Sequence, residues 1–299
     1  MSILVVGSVA LDTVKTPFGK HKDILGGSAT YFSVSASFFS PVSLVAVVGN
    51  DFPSRHRSFL RKKGVDLKGL MTEKGKTFRW EGEYGWDFGN PKTISTDLNV
   101  FSGFNPDIPR EYRKIKHVFL ANIDPEIQKK VLSQMSAPKL VACDTMNYWI
   151  ENKRKALLKL LKKVDIFLLN ESEARELAGE ASLVKAARAI LRFGPEKIII
   201  KKGEHGSLLF SRDFVFSAPA YLMESIFDPT GAGDTFAGGV IGYLAACKSR
   251  NQTNLRRAIV YGSVMATFAV EDFSLRRLAR IRKADVARRF KEFRKLTCF

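Results

Sequence analysis

Short, continuous apolar runs alternate with helix-like segments along most of this 299-residue chain. Such runs are typical of strands covered on both faces, because a strand with one buried face alternates apolar and polar residues. Strands that alternate with helices predict right-handed crossovers and a parallel sheet between helices. The predicted strands are 3–9, 42–49, 117–122, 139–144, 164–170 and 196–203, and the predicted helices are 28–39, 53–63, 124–135, 151–162, 171–178 and 182–193.

The pattern changes after residue 203. The segments SLLFS and FVFSA predict a hairpin, and further helices are predicted at 233–248, 253–270 and 284–296. The length suits one large α/β domain or two smaller ones.

The segment 77–86, TFRWEGEYGW, interrupts the alternation. Its period of two predicts a two-faced strand, which 94–101 could pair with in a small projecting sheet. The aromatic face either packs on a neighbouring element or second subunit, or covers a substrate, because an exposed face of this size would promote association. The aromatic residues at even positions are Phe78, Trp80, Tyr84 and Trp86.

The basic composition is concentrated near the C-terminus. The formal net charge is +18, and the segment from Arg276 to Phe299 has ten Lys or Arg against two acidic residues. This predicts a terminal helix with a solvated basic face. Nucleic-acid binding is the alternative, but Phe290 and Phe293 have helical spacing for packing inward, and no zinc finger, RNP motif or basic zipper is present.

Several features predict a cytoplasmic protein without a membrane span. The N-terminus, MSILVVGSVALD, has no basic region before its apolar run, and the uncharged stretch Thr235 to Cys247 is too short to span a bilayer. Cys143, Cys247 and Cys298 are widely spaced without a CxxC pair. Inert thiols are therefore expected, and neither a disulfide framework nor a structural zinc site.

The segment 226–239, IFDPTGAGDTFAGG, predicts an anion site at a helix N-terminus. Glycines 231 and 233 around Ala232 let backbone N–H groups converge before the first helical turn, where the helix dipole favours phosphate. Asp234 has two explanations: a helix cap, or a base that accepts a proton from an attacking hydroxyl. The second explanation suits phosphoryl transfer to an alcohol.

Two competing phosphate motifs fail. Gly75-Lys76-Thr77 resembles the end of a P-loop, but position 70 is Leu and an alternating strand follows. The first strand ends in GSVA (7–10), which lacks the GxGxxG spacing of a dinucleotide site.

The segment DPTGAGDTFAGG (228–239) resembles the C-terminal signature of the ribokinase-like (PfkB) family of carbohydrate and nucleoside kinases. Three further segments follow the order of that family: ILGGSATYF with Gly26 and Gly27, LLNESEA with Asn170 and Glu173, and KKGEHGS with Gly203 and Gly206. The similarity of motif order extends from the first strand to about residue 270.

The resemblance implies a single ribokinase-like α/β/α kinase domain over 1–299, with a mostly parallel central sheet and a small β lid from about 11–25 and 77–101. It implies that ATP lies along the C-terminal half of the sheet and that the acceptor lies beneath the lid. The implied residues are Asp234, Gly231, Ala232 and Gly233 for catalysis; Asp12, Gly26, Gly27 and Tyr31 for the acceptor; Asn170, Lys201, Gly203 and Gly206 for ATP; Glu173 for Mg²⁺ through water; and Asp228 and Thr230 where some relatives bind a monovalent cation such as K⁺.

Each accessory motif also has a structural explanation by itself. Gly26-Gly27 suits an ordinary turn, Asn170 and Glu173 suit a helix start, and Gly203 to Gly206 suits a hairpin connection. Asp12 could simply close the loop after the first strand. Collinearity with the signature favours the functional explanation for the set.

The acceptor stays open because the chain departs from the family at two positions. Many sugar kinases of the family have Lys and Asn where this chain has Ser28 and Tyr31. Loss of that Asn removes a contact to vicinal hydroxyls, whereas a tyrosine can stack or hydrogen-bond. Three hypotheses follow: a kinase for a sugar or sugar-like alcohol, a nucleoside kinase with an aromatic lid, and a nucleic-acid-binding or regulatory protein on the same fold. A homodimer through the lid is a further expectation.

Overall fold

The computed structural model describes residues 1–297, which form two sheets and eleven α-helices. The strands are β1 (Ile3–Val6), β2 (Ala10–Thr16), β3 (Gly19–Gly26), β4 (Val42–Gly49), β5 (Val65–Glu73), β6 (Phe78–Glu83), β7 (Lys92–Asp97), β8 (His117–Leu120), β9 (Leu140–Cys143), β10 (Ile166–Asn170), β11 (Lys197–Lys201), β12 (Ser207–Ser211) and β13 (Val215–Ala218). The helices are α1 (Ser28–Ala36), α2 (Ser54–Lys62), α3 (Pro125–Ser133), α4 (Asn147–Asn152), α5 (Arg154–Leu161), α6 (Glu171–Ala178), α7 (Leu183–Leu191), α8 (Ala232–Ala246), α9 (Gln252–Val270), α10 (Arg276–Arg280) and α11 (Lys283–Thr297).

The main sheet has nine strands in the order β13-β12-β11-β10-β9-β8-β1-β4-β5. Its pairs from β11 to β5 are parallel, whereas β12 and β13 are antiparallel at one edge. The prediction of a mostly parallel α/β sheet is therefore confirmed. The predicted hairpin after residue 203 is also confirmed, as β12 and β13.

Both faces of the main sheet are covered by helices. In β1, Ile3 and Val5 join the core beneath α1, α8, α9 and α11, while Leu4 and Val6 join the core beneath α3, α5, α6 and α7. All four side chains are fully buried, because successive residues of a strand point to opposite faces. This burial explains why the strands are continuous in hydrophobicity.

Some element boundaries differ from the predictions. The first strand ends at Val6, before Gly7, where an added Cβ would come within 2.6 Å of the Cβ of Ala121, the residue directly after β8. The predicted helix 151–162 is two helices, α4 and α5, with Lys153 at φ −130° between them. Edge strand β5 was not predicted, because its sequence VDLKGLMTE mixes charged and apolar residues without a clear period.

A second, smaller sheet has the order β3-β2-β6-β7. Its strand β6 ends at Glu83, and the register shifts between Glu81 and Gly82, so the predicted aromatic face is divided. Phe78 stacks on Phe101, with 5.4 Å between ring centroids. Trp80 and Tyr84 belong to a cluster with Val14 and Phe273, whereas Trp86 lies beyond the strand and is 79% exposed. The partner strand β7 runs from Lys92 to Asp97 and covers only the first half of the predicted strand 94–101, because the chain enters a short 3-10 helix at Asn99.

The basic C-terminal helix α11 is part of the core. Val286 and Phe293 are buried, and Phe290 stacks on Tyr261 with 4.2 Å between ring centroids. Arg289 lies 3.8 Å from the centroid of the Phe268 ring and bonds to Glu271. Phe290 and Phe293 therefore pack inward, as predicted, and are not available to stack on bases. Phe299 lies outside the described residues.

Cys143 is buried and Cys247 half-buried, both as free thiols, and Cys298 lies outside the described residues. Burial, and then the charge of Asp144, raise the pKa of the Cys143 thiol, which agrees with an inert cysteine. Within residues 1–297, every helix is too short or too polar to cross a bilayer.

Candidate active site

The loop that leads into α8, residues 228–233, is named here the phosphate loop. Its Gly231 is the N-cap of α8 and has φ +73°, which favours glycine. The ring of Tyr31 occupies the space beside it, and a Cβ on Gly231 would lie 2.3 Å from that ring. Position 231 therefore admits only glycine without rearrangement, for both conformational and steric reasons.

The phosphate loop presents two free amides at the N-terminus of a 15-residue helix. The amide of Ala232 donates to the carbonyl of Pro229 at 3.1 Å, so it is already engaged in a turn. Among the described residues, no backbone acceptor faces the N–H groups of Gly231 and Gly233. The predicted anion hole thus rests on these two amides and the helix dipole.

Asp234 lies in the first turn of α8, and it is not the helix cap. The N-cap is Gly231, and no side-chain cap hydrogen bond is present at this helix start. The explanation of Asp234 as a cap alone is therefore wrong. Burial, and then the charge of Asp144, raise its pKa to about 7, although the ammonium of Lys201 acts in the opposite direction. A carboxylate of this pKa is well matched to accept a proton near neutral pH.

A charged cluster lies at the carboxyl ends of β9 and β11. Asp144 directly follows β9, and its Oδ2 lies 2.6 Å from Nζ of Lys201, the last residue of β11. Burial acts to lower the pKa of Lys201, but Asp144 and Glu173 raise it above the ordinary value. A Cβ on Gly233 would lie 3.3 Å from the same Nζ, so this ammonium lies beside the phosphate loop. Asp144 was missed from the sequence, although a carboxylate directly after a buried strand was a usable signal.

Glu173 and Asn170 form the start of α6. The backbone N–H of Asn170 donates to the Glu173 carboxylate at 2.7 Å, and the Glu173 N–H donates to Oδ1 of Asn170 at 2.8 Å. This capping box is the structural role considered from the sequence. Glu173 is only 5% exposed, and burial raises its pKa to about 7. A buried carboxylate beside Asp144 and Lys201 fits the hard oxygen ligands that Mg²⁺ prefers.

Asp12 and the glycine pair form a second group, near the small sheet. Asp12 lies in β2 and is 4% exposed. A Cβ on Gly26 would lie 1.8 Å from Oδ2 of Asp12, so glycine is required for the carboxylate to sit there. Gly27 is the N-cap of α1 with φ +94°. Burial and the charge of Asp228 raise the pKa of Asp12 to about 8, while the Gly27 amide lowers it.

Two buried tyrosines lie among these acids. Tyr31 is 1% exposed, and its hydroxyl has no hydrogen-bond partner within residues 1–297. Burial, and then the charges of Asp228 and Asp12, raise its pKa. Tyr84 is 9% exposed, and its hydroxyl accepts a hydrogen bond from Thr230 at 3.3 Å.

Asp228 joins the phosphate loop to the segment after α9. It is fully buried, and its two carboxylate oxygens accept the N–H groups of Thr230 at 2.9 Å and Ser274 at 3.1 Å. Burial raises its pKa. These bonds give Asp228 a structural role in the loop, which sequence reasoning did not anticipate.

Gly203 and Gly206 bound the connection between β11 and β12, next to Lys201. Gly206 has φ +84°, and a Cβ on it would lie 2.1 Å from the carbonyl of Ala218, so its role in the hairpin is structural. Gly203 has φ +55° and borders open space. Of the predicted site residues, Asn170 and Lys201 end the parallel strands β10 and β11, and ligands bind at the carboxyl ends of strands in open α/β sheets.

Asp234 lies within electrostatic range of both groups. Its charge contributes to the raised pKa of both Asp12 and Lys201. A carboxylate that interacts with a second buried acid and with an ammonium beside an amide-lined loop suits phosphoryl transfer to an alcohol. Fold and site together define a phosphotransferase of the α/β class.

Comparison with known proteins shows a family match along most of the chain. The sequence profile described as pfkB family carbohydrate kinase matches residues 12–280. A cytidine kinase of Thermococcus kodakarensis is 31% identical over 245 residues, which cover 81% of this chain and 87% of that kinase. The chain belongs to the pfkB family and is a kinase that acts on a hydroxyl group of a sugar or nucleoside.

Solved structures show the same fold. The nucleoside kinase of Methanocaldococcus jannaschii superposes with a TM-score of 0.77 at 21% identity, over 97% of this chain and 98% of that one. A putative ribokinase II from E. coli, in complex with ATP and Mg²⁺, superposes with a TM-score of 0.80 at 19% identity, over 97% and 99%. The prediction of a ribokinase-like fold is confirmed.

Proposed function

We propose that this kinase transfers the γ-phosphate of ATP to a hydroxyl of a nucleoside. The observation that carries the phosphoryl-transfer mechanism is Asp234, which lies in the first turn of α8 without capping it, has a pKa raised to about 7, and interacts electrostatically with Asp12, Asp144 and Lys201. In this mechanism Asp234 accepts the proton of the acceptor hydroxyl. The freed oxygen bonds to the γ-phosphorus while the bond to ADP breaks.

The other site residues would hold the two substrates. The amides of Gly231 and Gly233, with the Lys201 ammonium, would stabilise the charge on the transferring group. Glu173 would order waters around Mg²⁺, which supplies charge neutralisation on the phosphates. The third amide of the predicted anion hole, that of Ala232, is hydrogen-bonded to the Pro229 carbonyl and stabilises the turn.

A nucleoside acceptor is supported by the aromatic residues around the site. Tyr31 replaces the asparagine of many sugar kinases in the family, and its ring packs on Gly231. At the edge of the small sheet, Phe18 is 49% exposed and Trp86 is 79% exposed, with their ring centroids 6.0 Å apart. Exposed aromatic faces are suited to stack on a nucleobase. The cytidine kinase relative agrees with this choice.

A sugar or sugar-like alcohol is the second candidate. The buried Asp12 carboxylate, in contact with Gly26, suits the vicinal hydroxyls of a free sugar as well as those of a ribose. On either hypothesis the small sheet would act as a lid that excludes water, within one kinase domain. Asp12, Gly26, Gly27 and Tyr31 would contact the acceptor beneath it.

Three further assignments belong to the proposal. Asn170, Gly203 and Gly206 would border the nucleotide at the carboxyl end of β11. Asp228 and Thr230 would take part in a K⁺ site only through oxygens not used in their mutual bond, so potassium dependence is to be measured in its own right. A cytoplasmic location and a homodimer through the small sheet complete the proposal, and size-exclusion chromatography tests the dimer.

The test is an ADP-release screen over nucleosides, free sugars and sugar phosphates with ATP and Mg²⁺. We expect a nucleoside to raise ADP formation, and Asp234→Asn to lower that rate at least about 100-fold while ATP still binds. The matched control is Asp213→Asn, an exposed aspartate in the β12–β13 turn, which should retain full activity. Turnover with free sugars alone would overturn the nucleoside assignment. An Asp234→Asn variant as active as wild type would overturn the mechanism.

A further inference from the structure

The hydroxyl of Tyr84 connects the small sheet directly to the phosphate loop. Thr230 Oγ1 donates to it at 3.3 Å across 146 positions of sequence. The position of this hydroxyl is defined, because the Tyr84 N–H donates to the carbonyl of Lys15 at 2.9 Å and its ring packs with Val14 and Phe273.

A second route joins the same two parts through Ser274. Its hydroxyl donates to the carbonyl of Leu25 in β3 at 2.5 Å, and its N–H donates to Asp228 at 3.1 Å. Asp228 in turn accepts the N–H of Thr230 at 2.9 Å. Ser274 has φ +58°, a conformation that a non-glycine residue holds only where surrounding contacts determine it.

We infer that Tyr84 is a positioning residue that couples the small sheet to the phosphate loop. The Thr230 hydroxyl bonds to Tyr84 beside the small sheet. The next residue in the chain is Gly231, whose free amide faces the anion site. Two glycines make this loop flexible by itself, so contacts from outside must select one conformation. Tyr84 supplies such a contact only while the small sheet is seated.

The coupling has a functional consequence, which rests on the proposed function. An acceptor held under the small sheet keeps Tyr84 in place, and Tyr84 then keeps the amides of Gly231 and Gly233 in the geometry that stabilises the transferring phosphoryl group. Phosphoryl transfer to the acceptor is thereby favoured over transfer to water.

The kinetic test removes single hydroxyls. Tyr84→Phe keeps the ring, and we expect it to lower kcat about 3- to 10-fold, the effect of one neutral hydrogen bond, while the KM for ATP changes less than about twofold. The ratio of ATP hydrolysis to acceptor phosphorylation should rise by a similar factor. Thr230→Val should have the same effect, and Thr230→Ser, which keeps a hydroxyl, should restore most of the activity.

A double-mutant cycle tests the coupling itself. If the two hydroxyls act through each other, Tyr84→Phe should cause little further loss in the Thr230→Val background. The control is Tyr243→Phe, which removes a tyrosine hydroxyl bonded to Asn254 at the far end of α8. Losses that multiply in the double variant, or a wild-type transfer-to-hydrolysis ratio in Tyr84→Phe, would overturn the inference.

Hydrogen–deuterium exchange separates this inference from the choice of acceptor. It is measured on the full chain without ligands, so it does not depend on which alcohol is phosphorylated. In Tyr84→Phe, we expect the exchange of the two hydrogen-bonded amides of the phosphate loop, those of Thr230 and Ala232, and of strand β6 to rise about 3- to 10-fold, with no change in Tyr243→Phe. Unchanged exchange in the phosphate loop of Tyr84→Phe would refute the coupling even if nucleosides prove to be substrates.

Discussion

Replacing Asp12 by asparagine should stabilise the folded protein at neutral and alkaline pH. Asp12 is 4% exposed, and burial together with Asp228 raises its pKa from 3.8 to about 8. The folded state therefore holds a proton that the unfolded chain has already released. The buried Asp12 carboxyl group therefore destabilises the fold at neutral and alkaline pH, which is common for functional residues.

The sign and magnitude follow from this raised pKa. The contribution of Asp12 to stability is fully present below the unfolded pKa of 3.8, and it is lost as the pH rises toward the folded value of about 8. One pKa unit corresponds to about 1.4 kcal/mol. Between pH 5 and pH 8, the free energy of unfolding of wild type should therefore fall by about 4 kcal/mol relative to Asp12→Asn. Asparagine has a similar shape and no titratable proton, so it isolates this effect.

Urea denaturation of both proteins at pH 5, 6, 7 and 8 measures the difference. Asp12→Asn should gain stability over wild type steadily along this series, and the exposed-site variant Asp213→Asn should parallel wild type. A stability difference that does not change with pH would refute the reasoning, because the Asp12 carboxylate would then titrate alike in the folded and unfolded states.

Three further predictions concern the phosphate side of the site. Because Asp234 must be ionised to accept a proton and its pKa is raised to about 7, kcat/KM should fall about tenfold per pH unit below pH 7; a flat profile from pH 5 to 8 would contradict its role as a base. Asp144→Asn removes the partner 2.6 Å from the Lys201 ammonium and should lower kcat/KM for ATP at least about tenfold in steady-state assays, whereas unchanged ATP kinetics would show that the pair is only structural. Gly231→Ala should lower the melting temperature by several degrees more than Gly64→Ala, since both positions have positive φ but only at position 231 would the new Cβ lie 2.3 Å from a ring, that of Tyr31; equal shifts would exclude the steric contribution.

Much of the fold was predictable because its signals are local. Helix α6 begins and ends where predicted, since Asn170 and Glu173 form a capping box and Gly179 closes the helix in the left-handed conformation. The buried strands were recognised because a strand covered on both faces is apolar throughout. Edge strand β5 was missed because its sequence mixes charged and apolar residues, so that its burial is decided by neighbours distant in sequence.

The candidate site was predictable only in part. The glycines and the acid of the segment 228–234 predict an anion site from sequence alone. The hydrogen bond from the Ala232 amide to Pro229 depends on the loop conformation, which the sequence does not give. Asp144 carries no motif of its own, and its importance appears only when β9 and β11 bring it to Lys201.

Local order of residues was enough to specify an α/β chain with a glycine-rich anion loop before a buried helix, because strand burial, helix caps and glycine conformations depend on near neighbours. The tertiary structure alone decided that the charges of Asp12 and Asp234 interact, and that Tyr84 contacts Thr230. It also set the raised pKa values of both acids, since loss of hydration and the distance between charges exist only after distant segments have packed together.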